Sequence, residues 1–547
     1  MNAALFNRFL LPAVSMACLP AAVADDAPWW EAPPLTAMWE KAVAQRAGRP
    51  AVLPPGVEMM AIGSPVLAAQ PLVLSGLTHL VTFGDMKAYM EFAEALKHDP
   101  DCLMAHWGIC MSLIGAGPEF QQERVQSMKR LKELALQPGC PEHERAYADA
   151  LILLLMKGLK ESLGSWKTLY ETWRRDPYAP LFYAMLVRDG YDASGKPEEG
   201  QTEALRVVQE VLAVRPDSYA ALFMRVLLEE TAPVIAPETV TFARKAVEVN
   251  PQAASARHLL GHMLFRTGDY QAASAAFKES EALNQAWQKE RKVPLAWNDG
   301  YVRSLIYRAA AEFCAGRYKE AEAVARKAAA LPLDKEHPLA AGTLLQIWEA
   351  RNLPVRLMLS RPELPKLELL LKESPGPLPK GFPDLSNGMM AMSSQYMGAM
   401  YAARDGKTAA VASRFNKLSS VLQLMVDGAS VAYKQMSMTY WNRCFMMGGT
   451  YAMEIRAAMF PDTAHIWLAD AIKGQRFASM LLPPLLPYPE EWVLARVHLK
   501  AGKYQECLDA CSQGLKRFPN HAGVLATMQQ ARDGMNKSTS NKPSIKK

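Results

Sequence analysis

What this 547-residue chain lacks narrows its architecture before any motif is read. No run of alternating β-branched residues bounded by hairpin turns stands out, whereas apolar residues recur at helical spacing along much of the chain. β-Sandwiches, barrels and doubly wound sheets are therefore not indicated. Beyond the N-terminal leader no apolar stretch approaches the ~20 residues that a membrane-spanning helix needs, Ala150–Met156 being far too short. The formal charge of +6 is small for this length, and basic residues are interspersed with acidic ones, so nucleic acid is not an expected partner. Cysteine is scarce, at eight residues, and no two are separated by the two-residue gap of a redox or zinc motif; Cys507 and Cys511 lie one helical turn apart. Nucleophile-elbow, His-Glu-x-x-His and Gly-x-Gly-x-x-Gly patterns are missing. Gly406-Lys407-Thr408 ends like a phosphate-binding loop, but Tyr401 stands where that loop needs its first glycine, and Asp405-Gly406 reads as an inter-helix turn. The paired acids Glu229-Glu230 and Glu490-Glu491 read as solvated helix ends or turn residues. Missing motifs do not exclude an enzyme, because many active sites carry no local signature.

What the chain does have is a recurring helix pair. Between Asn250 and Asn284, Ala256–Arg266 reads as a first helix, Gly268-Asp269-Tyr270 as a turn and Gln271–Leu283 as a second helix. Small Gly261 and Ala273 alternate with large Leu260 and Phe277, as a close helix crossing requires. Gly268 can take the positive φ that ends one helix, and Asp269 can cap the next. The same grammar appears in Ala309–Leu331 around Gly316-Arg317-Tyr318, and in Trp492–Pro519 around Gly502-Lys503-Tyr504. A further copy ends in Ala88, Phe92, Ala95 and Pro100, and Pro216 and Pro251 close two weaker ones. In the last copy Cys507 and Cys511 occupy positions where the grammar places buried Ala and Phe, so they read as core thiols.

These offsets resemble the tetratricopeptide repeat (TPR), and four copies exceed the roughly three that such a stack needs. The expected fold class is all-α, a TPR-like helical-repeat solenoid of antiparallel helix pairs, whose inner face binds other molecules. More specifically, Asp99–Ile109 looks like the opening signature of a group of bacterial TPR-containing proteins. The segment His258–Gly268 resembles that group's central His-x3-His motif ahead of an Arg-x-Gly turn, and Pro483–Pro519 is similar to its Pro-rich lead into a last repeat. The resemblance extends over most of the mature chain. It implies a helical-repeat fold and no particular reaction. Where the group often carries a His-Asn pair opening the following repeat, this chain has Arg303-Ser304, which weakens any metal or catalytic reading that needs the second pair.

The N-terminus bears on compartment. Arg8, the apolar run Phe9–Leu19 and the small residues Ala22-Val23-Ala24 read as a signal peptide over 1–24, with Asp25 opening an exported, periplasmic or extracellular chain. Cys18 offers a lipoprotein alternative, but Ser15-Met16-Ala17 precedes it without the usual Leu. Beyond the leader, a Pro/Ala-rich arm is expected over 25–71 and a main TPR-like array over 72–353. A Pro-rich linker or groove-covering loop over 354–388 then precedes a C-terminal array over 389–535 and a disordered basic tail over 536–547. The Met-rich stretches Met389–Met400 and Met436–Met453 suit core packing better than a pliable peptide surface.

Six residues are candidates for partner contact: Trp107, His258, His262, Phe265, Arg266 and Trp297. His258 and His262 project from one helix face, with Arg266 one turn further on. Two imidazoles can begin a metal site, but structural or catalytic zinc takes three or four protein ligands, and none follows at recognisable spacing. Hydrogen-bonded structural histidines are the favoured reading, ahead of groove contacts and of metal. Trp107 and Trp297 can anchor a partner, although packing between repeats is the commoner fate of such rings. The sequence thus reads as an exported scaffold for a protein or peptide partner, with no cofactor and no catalytic residue assigned. The alternative is an exported enzyme or metal-binding protein centred on His258, His262 and Arg266.

Overall fold

A computed structural model of the chain describes residues 55–192, 194–476 and 484–540. The leader with Cys18, residues 25–54 of the arm, Pro483 and the tail from 541 lie outside the described residues. Among those described, the chain is all-α, with one isolated bridge between Tyr191 and Pro197. It has the expected TPR-like helical-repeat architecture, as five of its helix pairs show.

These pairs are Gln70–Val81 with Asp85–His98, Ala254–Arg266 with Tyr270–Arg291, Asp299–Cys314 with Tyr318–Ala329, Asn387–Arg404 with Thr408–Asp427, and Glu490–Lys500 with Tyr504–Leu515. Each first helix ends in the same two-bond motif. In the second pair, Gly268 N–H donates to Phe265 O at 3.1 Å and Asp269 N–H to Leu264 O at 2.9 Å. Gly316, Gly406 and Gly502 repeat both bonds, with φ between 71° and 78°. This Schellman closure satisfies two carbonyls that the helix end leaves open, and it needs a left-handed residue at its hinge. In the first pair Phe83 holds that place at φ 59°. Asp269 then caps the next helix, accepting from Ala272 N–H at 3.1 Å.

The helix crossings follow from side-chain size. A Cβ on Gly261 would lie 2.7 Å from the Phe277 ring, and one on Gly76 equally close to Phe92, so a side chain at either position would have to push the facing ring aside. Ala309 with Ala325 and Ala495 with Cys511 keep the same offset, all fully buried. Cys507 is likewise buried, as a core thiol should be.

The described residues form two compact units, one made of 55–260 with 282–298 and the other of 261–281 with 299–540. The first has an aromatic heart. Trp107 is completely buried, edge-on to Tyr147 and Phe182 at 5.2 Å each and to Trp166 at 6.4 Å, and its indole N–H donates to Tyr147 O at 3.0 Å.

The second unit packs Met389, Met392, Met425 and Met447 around Tyr396 and Tyr451, whose rings stack 4.0 Å apart. Residues 354–388 differ from an open linker. They contain most of the helix Leu353–Leu359 and all of Leu367–Glu373, and Leu370 and Phe382 are buried in the core of this unit. Pro354 lies in the first turn of its helix, where no intrahelical N–H is required. The C-terminal helix Ala522–Ser540 also carries regular structure past the expected start of the tail at 536, which corrects that boundary.

A candidate binding cavity in the second unit

Three of the six candidate residues converge. His262, Phe265 and Arg266 share one face of the helix Ala254–Arg266 and line a cavity of ≈ 330 Å3 within the second unit. Spacings of three and four put them on that face. The helix Met438–Met459 contributes Met446, Met447 and Met453 to the lining, and Leu485, Leu486 and Phe518 add to its apolar part. Arg443, Asp470, Gln475 and Arg517 supply much of the polar lining.

The aromatic and imidazole groups brace one another. His262 is 2% exposed; its Nε2 lies 3.3 Å from the Tyr307 hydroxyl, and the two rings are 5.0 Å apart. Phe265 meets Tyr307 and Phe518 edge-on, at 6.2 and 6.3 Å.

Two of the guanidinium groups have carboxylate partners. Arg443 donates through Nε to Glu349 Oε1 at 2.6 Å and through Nη2 to Oε2 at 3.1 Å, a buried side-on pair. Such a pair has fixed geometry, and losing one partner strands the other charge. Glu349 sits in a π-helical turn, Gln346–Ala350, whose backbone also receives Arg356 Nη2 at Glu349 O, 3.2 Å away. Arg517 donates to Glu491 Oε2 and to Gln475 Oε1, each at 2.6 Å.

The same unit also buries acids. Glu454 accepts from Tyr396 at 2.6 Å and from Tyr488 at 3.0 Å, and burial pushes its carboxyl above the usual range. Glu490 is fully buried, and neither of its carboxyl oxygens has a hydrogen-bond partner. Burial, with Glu454 and Glu491 adding to it, pushes this carboxyl far above its ordinary value. The reading of Glu490-Glu491 as solvated is thereby corrected: Pro489 and Glu491 pack against Gly514, which holds this first helical turn inside. Glu230 is buried too, and Glu229 is half-buried in an ion pair with Arg225 at 2.7 Å.

The remaining candidates lie elsewhere. His258, on the same helix as His262, belongs to the first unit, is half-buried and does not line the cavity. Trp107 and Trp297 are core residues of the first unit, the latter 4% exposed with its ring 5.4 Å from Phe120, so neither offers a partner a surface. Among the described residues no group of three or more His, Cys, Asp or Glu side chains gathers as a metal would require. Arg303 and Ser304, at the departure from the group pattern, are engaged locally: Arg303 pairs with Asp299 at 2.8 Å, and Ser304 donates to Ser280 Oγ at 3.1 Å. Sequence reasoning missed Arg443, Glu349 and Arg517. The Met-rich stretch 436–453 was the available signal for the methionines that line the cavity.

No family model matches the chain, and no curated protein does. Among solved structures it is similar to the TPR domain of P58(IPK), at 12% identity, covering 87% of this chain and 100% of that one, with a TM-score of 0.21. It is also similar to a structure of Naa15/Naa10 bound to HypK-THB, at 13% identity over 87% of each chain, again with a TM-score of 0.21. Superposition that loose carries no argument, and the repeat architecture rests on the chain's own turns and helix crossings. No described helix is long and apolar enough to cross a membrane.

Proposed function

We propose that the chain is a scaffold of the bacterial cell envelope that binds a protein or peptide partner, one of whose side chains seats in the cavity of the second unit. The observation that carries this is the convergence of His262, Phe265 and Arg266 on one largely apolar cavity. Its volume of ≈ 330 Å3 accommodates a single large side chain with some adjoining backbone. The methionines that line it adapt to irregular shapes, a property of surfaces that bind peptides. Helical-repeat proteins commonly use such surfaces for recognition. Export is supported by Arg8, the run Phe9–Leu19 and Ala22-Val23-Ala24.

Affinity capture from an envelope extract with the mature chain tests the reading, with Met453→Glu as the comparison. This half-buried wall residue places a charge in the cavity when substituted. The expected result is a partner recovered by the wild type and lost with the variant at unchanged melting temperature. Equal recovery by both would overturn the assignment of the cavity. N-terminal sequencing of the protein recovered from the periplasm tests export, with Asp25 as the expected first residue.

A further inference from the structure

Resting on that reading, we infer that the cavity selects an uncharged aromatic side chain, so that the partner is a peptide segment anchored by Phe, Tyr or Trp. Three features of the walls lead there. Thioethers contribute to the lining, through Met446, Met447 and Met453, and sulfur contacts to a ring are favourable in a way that contacts to a saturated side chain are not. Rings contribute as well: Phe265, Tyr307 and Phe518 already meet edge-on, an arrangement that a further ring can extend. Arg266, Arg443 and Arg517 add guanidinium groups, and a guanidinium attracts the face of a ring.

The disposition of two of those guanidinium groups argues against an anion as the preferred ligand. Arg443 has two donors of one edge on both Glu349 oxygens, and Arg517 is held by Glu491 and Gln475. Their charge is balanced by acids of the protein, and Asp470 adds a carboxylate to the lining itself. An entering carboxylate would compete with fixed partners, whereas a neutral ring needs none of those hydrogen bonds. The second unit uses the same chemistry elsewhere: Arg456 lies over Phe415 at 5.0 Å and over Trp467 at 4.8 Å, and Arg496 over Trp492 at 4.9 Å.

Ligand-observed NMR titration of the mature full-length chain with capped amino acids tests this. The probes are N-acetyl-phenylalaninamide, N-acetyl-tryptophanamide, N-acetyl-cyclohexylalaninamide and the free acid N-acetyl-phenylalanine. The aromatic amides are expected to bind roughly tenfold more tightly than the cyclohexyl amide, which matches phenylalanine in shape but lacks the π-system. A Met446→Leu/Met453→Leu variant, close in volume and expected to keep its melting temperature, should narrow that ratio to roughly threefold or less. Equal binding of phenyl and cyclohexyl probes overturns the aromatic preference while leaving a peptide-binding cavity intact. Tighter binding of the free acid than of its amide overturns the neutral-ligand inference in the same way. Absence of binding by every probe overturns the cavity reading itself.

Discussion

The two units solve the problem of filling an interior differently. In the first, large rigid rings meet edge-on around Trp107, and the indole N–H has a backbone acceptor. In the second, flexible methionines, stacked tyrosines and buried charges share the interior with a cavity. Rings with few rotamers fix one arrangement, whereas thioether side chains tolerate several. The contrast locates adaptability in the second unit, where the candidate binding residues converge.

The largest expected effects test what holds each interior. Trp107→Ala should destabilise the first unit by about 3–5 kcal/mol, and Arg443→Met the second by a similar amount because Glu349 is left buried without its cation. They should differ in rescue. Adding Glu349→Met to Arg443→Met should recover most of the loss in urea denaturation, while no single neighbouring change should restore Trp107→Ala. If the double variant is as unstable as Arg443→Met alone, the pair is not the reason for the loss. Next in size, Gly261→Ala forces a methyl group against the Phe277 ring and should cost about 1–3 kcal/mol, read as a lower denaturation midpoint.

A smaller effect concerns pH. The Glu490 carboxyl keeps its proton in the folded chain at pH values where the unfolded chain, with an ordinary value near 4.5, has lost it. The unfolded state then binds fewer protons, so the stability this group contributes is greatest below about pH 4.5 and is lost as pH rises through the folded value. Glu490→Gln should flatten that decline in melting temperature between pH 5 and 8; parallel profiles for the two proteins would rule the effect out. Buried His106 and His521, each pushed down to about 4, act with opposite sign, destabilising the fold as pH drops from about 6.5 toward 4. The smallest expected effect is Met447→Leu, under about 1.5 kcal/mol by the same denaturation assay, since a Met-rich core absorbs a volume-conserving change. A loss as large as that of Trp107→Ala would erase the contrast between the two interiors.

Much of the architecture was legible in the sequence because its determinants are local. The offset from Gly261 to Phe277 and the glycines at 268, 316, 406 and 502 are short-range demands of helix crossing and helix ending. For the same reason His262 and Arg266 could be grouped by spacing alone, although His258, grouped with them, does not line the cavity. The rest of the cavity was not legible. Glu349 and Arg443 are separated by 94 positions, and tertiary packing decides that they meet. Residue type misled at Glu490-Glu491, where acids normally seek water, and at Trp107, where an aromatic side chain gives no sign of whether it faces inward or outward.

Phe83 holds a conformation that glycine fills in the other four of these helix pairs, and it does so beside a real glycine, Gly84, one position too late to help. Its ring lies 6.4 Å from that of Phe223 and 5.6 Å from the Arg188 guanidinium. The hinges at 406 and 502, where a Cβ would meet nothing within 4 Å, are interchangeable parts, and grafting one onto the other should leave both helix pairs intact. The hinge at 83 is bespoke, so a graft there would relax the backbone while removing a side chain that belongs to its surroundings. That asymmetry sets this pair apart from the four closed by glycine.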